Sequence, residues 1–160
     1  MANTNDGGLV AFLAQWVIDT LKALKLDDVD VFKTVDLWKH QVGVTESGME
    51  ASGRYSPFAF VSCGDEDTAR EGGNDLRRIP DIRILIGVDS KLDGDALWGN
   101  ADKPGTSKIR DLIIAALDKK QPDDENITCD EFYYIRAVEI LDQPKRHWVR
   151  MDFEVSQMST

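Results

Sequence analysis

Arg146-His147-Trp148-Val149-Arg150-Met151-Asp152-Phe153-Glu154-Val155 is the stretch that decides the fold. His147, Val149, Met151, Phe153 and Val155 fall on one side of an extended chain, and Trp148, Arg150, Asp152 and Glu154 fall on the other. A period of two with one apolar side is the pattern of a strand in a sheet that buries a single face. Upstream, Ile127 to Leu141 also alternates, and Asp142-Gln143-Pro144-Lys145 joins the two runs, so the spacing predicts an antiparallel hairpin.

Further toward the N-terminus, Thr106 or Ser107 stands before Ile109, Leu112, Ile113, Ala116 and Leu117, which recur at helical spacing. These residues predict a capped amphipathic helix stopped by Pro122. Asp93 to Gly105, polar and glycine-rich around Leu97-Trp98, reads as its leading loop. Before that lies the most apolar run, Ile79, Ile82, Ile84, Leu85, Ile86 and Val88, a strand with Pro80 near its start. Phe58 to Cys63 is a shorter strand. Two polar stretches, residues 41–57 and 64–76, read as long loops.

The N-terminal part supplies the clearest helix. Leu9, Phe12, Leu13, Trp16, Val17, Leu21 and Leu24 recur every three or four residues, Asn5 or Asp6 can cap the start, and Asp27-Asp28 marks the end after Leu26. Val29 to Trp38 then alternates as a strand. The order is α-β-β-β-α-β-β, which predicts an α+β fold: a largely antiparallel sheet with two helices packed on it. At 160 residues, with 42% hydrophobic and 30% charged side chains, the chain suits one domain spanning residues 1–160.

Charge excludes one class of function. Lys and Arg number 19 against 29 Asp and Glu, a net charge of −10, which opposes the counterion-releasing grip on phosphate that non-specific nucleic-acid binding requires. No apolar run approaches the roughly 18 residues of a membrane span, and Met1 to Asp6 lacks a basic signal region, so a cytosolic origin and no membrane partner are expected.

Signatures of chemistry are weak. Asp81, Asp89 and Lys91 have the residue types of a metal-dependent nuclease but bracket one strand, whereas such a site needs carboxylates that converge. Asp89, Asp93 and Asp95 lack the order of a calcium loop, and the acidic triplets at residues 65–67 and 123–125 read as solvated turns. Gly7-Gly8 and Gly72-Gly73 make no phosphate cradle, and Ser62 and Cys63 sit in no nucleophile motif. Cys63 and Cys129 read as reduced core thiols, and His40 and His147 have no neighbour in sequence that completes a site. No enzyme activity, metal or cofactor is expected.

Aromatic and arginine residues point to association. Trp38, Trp98 and Trp148 fall on loop edges or the polar strand side, and Arg70, Arg77, Arg78, Arg146 and Arg150 lie near strand ends. Tryptophan and arginine are the side chains enriched at protein interfaces, so these eight form the candidate docking set.

The opening helix, the strand Val29 to Trp38, the run Arg77 to Val88, the helix Ser107 to Lys119 and the closing hairpin together resemble the tail terminator and neck-completion proteins of tailed bacteriophages, including those of Mu-like phages. The resemblance implies a structural virion protein, assembled in the host cytoplasm, that forms a homo-oligomeric ring, commonly a hexamer. Such a ring caps the tail tube protein and faces head-completion or neck proteins, and DNA passes through it without specific binding. A ring also needs two different patches per protomer. The alternatives are another tube, adaptor or head-closure protein, or a metal-dependent hydrolase using Asp81, Asp89 and Lys91.

Overall fold

The computed structural model describes residues 4–42, 54–71, 75–122, 131–155 and 157–159. It is an α+β fold, as the element order predicts. Helix α1 (Thr4–Lys22) opens the chain, followed by β1 (Lys25–Leu26), β2 (Val29–Asp30), β3 (Thr34–Leu37), β4 (Phe58–Glu71) and β5 (Asp75–Asp89). One-turn helix α2 (Asp95–Trp98) and helix α3 (Thr106–Leu117) precede β6 (Tyr133–Gln143), β7 (Arg146–Glu154) and β8 (Gln157–Ser159). The main sheet runs β3-β4-β5-β7-β6, with β8 pairing the outer end of β5. Its neighbours are antiparallel except β3 and β4, which run parallel.

The closing hairpin is where the alternation puts it. Val149, Met151, Phe153 and Val155 are buried in the main core with Ile82, Ile84, Ile86 and Val88 of β5 and Ala59 and Val61 of β4. The helices cover this face through Phe12, Leu13, Val17, Ile18 and Leu21 of α1 and Ile109, Ile113 and Leu117 of α3. Each such side chain contributes about 1.5–3 kcal/mol by leaving water, so the shared face holds the layers together. Trp16 meets Phe132 edge to face at 5.1 Å and closes the gap between α1 and the start of β6.

Four expectations need correcting. Helix α1 stops at Lys22, because Asp27 and Asp28 take φ of 52° and 65° and fold Lys25–Leu26 onto Val29–Asp30. Two central residues with positive φ match the twist of a tight hairpin. The expected strand from Val29 to Trp38 is accordingly split, with Val31 and Phe32 turned into the core between β2 and β3.

Where described, residues 64–71 and 75–76 of the second expected loop are strand. The backbone of β4 continues to Glu71 and pairs with β5 from Glu66↔Pro80 to Glu71↔Asp75, after a register shift between Cys63 and Glu66. This arm lies beyond Asp81, where pairing of β5 with β7 ends, so it needs no apolar period to form its ladder. Most of the other expected loop, residues 43–53, lies outside the described residues, as do residues 127–130 of the expected strand from Ile127, Cys129 among them; the described strand begins at Tyr133.

The cap of α3 is Gly105, with Thr106 as the first helical residue. A Cβ on Gly105 would stand 2.5 Å from the amide nitrogen of Gly99, so only glycine lets α2 and α3 approach this closely. At its other end, Asp118 Oδ1 accepts a hydrogen bond from Tyr134 N at 3.0 Å, and Lys119 N donates to Phe132 O at 2.7 Å, which ties α3 to β6.

Candidate association surface

The sheet face opposite the long helices carries a second, aromatic cluster. Phe58, Phe60 and Trp148 are buried there with Val42, and Trp38, Tyr55, Leu85 and Leu141 pack around them. Phe58 stacks on Phe60 at 4.9 Å and meets Trp148 edge to face at 5.9 Å. Trp148 is therefore 1% exposed, which corrects its reading as part of a polar surface. Gly87 lies between Phe58 and Trp148 in register and leaves the space their rings occupy.

Beside this cluster runs an apolar groove of about 310 Å³ lined by Trp38, Phe60, Leu85, Ile140 and Trp148, with Arg83 and Arg150 also in its wall. Three of the eight candidate residues, Trp38, Trp148 and Arg150, thus meet at one groove. Arg150 is held by Asp152 through two hydrogen bonds, at 2.9 and 3.1 Å, and Arg136 reaches the same carboxylate at 2.8 Å. Asp152 is buried, and two guanidiniums on it leave the patch with a positive balance within an acidic protein.

The other candidates are spread out. Trp98 ends α2 with 72% of its surface exposed. Arg146 closes the β5–β7 ladder and pairs with Asp89 at 3.5 Å. The backbones of Arg70, Arg77 and Arg78 lie in the outer arm of the β4–β5 hairpin, opposite Leu76, Ala69 and Thr68.

Both ends of the main sheet are open among the described residues: β3 on one side, β6 on the other. Leu37 on β3 is exposed, as are Tyr133, Ile135 and Ile140 on β6. The register of β6 against β7 shifts between Tyr134 and Arg136 and again between Glu139 and Leu141, so Ile135 and Ile140 are the extra residues of two bulges. Bulges usually blunt an edge, and here the two bulged residues are exposed isoleucines. The sequence reading missed these residues. Tyr133 and Ile135 lie inside the alternating run it recognised, but nothing in a period of two says which strand ends the sheet.

The chemical alternatives do not assemble. Asp81 and Asp89 pair with Glu154 and Arg146 at opposite ends of the β5–β7 ladder, and eight residues of strand separate them by about 26 Å. Asp89, Asp93 and Asp95 turn to Arg146, Lys145 and Asn100 respectively. Cys63 packs half-buried against the main core. His40 lies 5.0 Å from the ring of Trp38. His147, in contrast, acquires two partners: Thr106 Oγ1, from the start of α3, at Nδ1, 2.5 Å away, and Glu139 Oε1, across the closing hairpin, at Nε2, 2.8 Å away.

The described residues together define a small α+β protein with a helix-covered sheet face, an aromatic groove and, among those residues, two unlike open edges. No family model and no curated protein sequence matches it. Among solved structures, a chain described as "Virion of native gene transfer agent (GTA) particle" is similar, with 14% identity over 63% of this chain and 69% of that chain and a TM-score of 0.42. No helix among the described residues is long and apolar enough to cross a membrane.

Proposed function

We propose that this chain is a structural component of a tailed-phage-like virion, acting as a tail terminator. In this reading it closes into a homo-oligomeric ring, a hexamer in the family it resembles, between the tail tube protein and the head-completion or neck proteins. It makes and breaks no covalent bond. Assembly takes place in the host cytoplasm and the product resides in the virion.

The observation that supports this best is the pair of unlike sheet edges: β3 with Leu37, and β6 with Tyr133, Ile135 and Ile140. A head-to-tail ring needs two different complementary patches on each protomer, and two open edges of one sheet supply them. Of the eight candidates, Trp38 and Arg150 line the groove and Trp148 supports it from beneath, while Arg70, Arg77 and Arg78 lie on the outer hairpin arm and Trp98 and Arg146 stand apart at the ends of α2 and of the β5–β7 ladder. A net charge of −10 suits a channel through which DNA slides without being held.

Electron microscopy of the purified protein tests this. Closed rings, and tails of uncontrolled length in particles lacking the protein, are the expected results. A protein that stays monomeric at high concentration and whose removal leaves tail length unchanged overturns the proposal.

A further inference from the structure

We propose that Glu139, Asp142 and His147 form a binding site for a divalent cation of the zinc type, a structural metal at the β6 edge. The fold makes this cluster; the sequence conceals it. In a regular strand residues 139 and 142 point to opposite faces, because they are an odd number apart. The bulge between Glu139 and Leu141 adds one residue, so Glu139 pairs with Val149 and Asp142 with His147, and both carboxylates face the imidazole. Their ligand atoms and His147 Nε2 all lie within 4.8 Å of one another.

The distances lie within a small side-chain shift of those around a metal. Nε2 stands 2.8 Å from Glu139 Oε1 and 4.0 Å from Asp142 Oδ1. Ligand atoms around tetrahedral zinc lie about 3.4 Å apart, a value between the two. Both carboxylates are exposed and can shift by torsion, whereas the imidazole, 1% exposed, is fixed by burial and by Thr106. Nitrogen and oxygen donors together favour zinc over magnesium or calcium, which take oxygen alone.

Thr106 is suited to both states of the site. With its proton on Nε2, the ring donates to Glu139 and the threonine hydroxyl donates to Nδ1. When metal takes the Nε2 lone pair, the ring proton resides on Nδ1 and the same hydroxyl accepts it. Because both carboxylates are exposed, water would be available to complete the set. Bound metal would pin the β6 bulge to β7 and, through Thr106, to the start of α3.

Thermal unfolding of chelator-treated protein with added Zn²⁺ tests the assignment. The expected result is a rise in Tm of about 5–10 °C when Zn²⁺ exceeds its Kd a hundredfold, with no rise in Mg²⁺. The rise should shrink in Asp142→Asn and vanish in the double variant Glu139→Gln/Asp142→Asn. Both alter exposed side chains, so they fold. No Zn²⁺ response, an equal Mg²⁺ response, or an undiminished Zn²⁺ response in the double variant overturns the site. The ring reading is independent of every one of these outcomes.

Discussion

Gly87 of β5 lies directly opposite Trp148 of β7, and a Cβ placed on it would stand 2.8 Å from the indole Cδ1 and 2.2 Å from Phe58 Cζ. The aromatic cluster on the helix-free face thus depends on a missing side chain in the middle of the most apolar strand. Both rings are nearly fully buried, so neither has room to retreat.

Gly87→Ala is therefore expected to destabilise the protein by overpacking, by about 1–3 kcal/mol. Denaturant unfolding measures the loss, and near-ultraviolet circular dichroism should report a changed tryptophan environment. A variant as stable as the parent would mean that the rings do not pack over Gly87.

Thr106→Val keeps the shape of a fully buried side chain and removes its hydroxyl, leaving His147 Nδ1 without a partner. The expected cost is about 1–3 kcal/mol. Thr106→Ser, which keeps the hydroxyl, should recover most of it. Equal losses in the two variants would assign the effect to packing.

Asp152 is the buried centre of an ion-pair cluster whose arginines, Arg136 and Arg150, are 60% and 31% exposed. Water reaches both guanidiniums, so Asp152→Ala should cost less than the breaking of a fully buried pair, about 1–2 kcal/mol. Raising ionic strength should change the parent's stability more than the variant's.

Leu37→Lys and Ile135→Lys place a charge on opposite sheet edges at exposed positions, where monomer stability should change by no more than about 0.5 kcal/mol. Each variant alone should lose closed rings. Mixed together, they retain one intact edge pair, β6 of the Leu37→Lys chain against β3 of the Ile135→Lys chain, so heterodimers should form without closing. Light scattering distinguishes these species, and full rings from the mixture would show that the edges do not mediate assembly.

What could be read directly from the chain is whatever repeats along it. Val149, Met151 and Phe153 announce β7 because every second residue faces the core, and Leu13, Val17 and Leu21 announce α1 because every third or fourth does. Such periods report burial on one side, and the α+β class follows from their order. The outer arm of the β4–β5 hairpin carries no such signal because backbone ladder bonds alone can hold it. Asp27 and Asp28 looked like a helix stop, and only their positive φ values reveal that they turn a hairpin.

The sequence by itself therefore determined the helix-covered core, the closing hairpin, the acidic charge and the absence of a recognisable catalytic motif. Tertiary structure alone decided that Trp148 is buried, that β3 and β6 are the open edges, and that His147 meets Thr106 and Glu139. The reason is physical: periodicity encodes which side of an element leaves water, whereas strand order, bulges and ring-on-glycine packing arise from contacts between residues far apart in the chain.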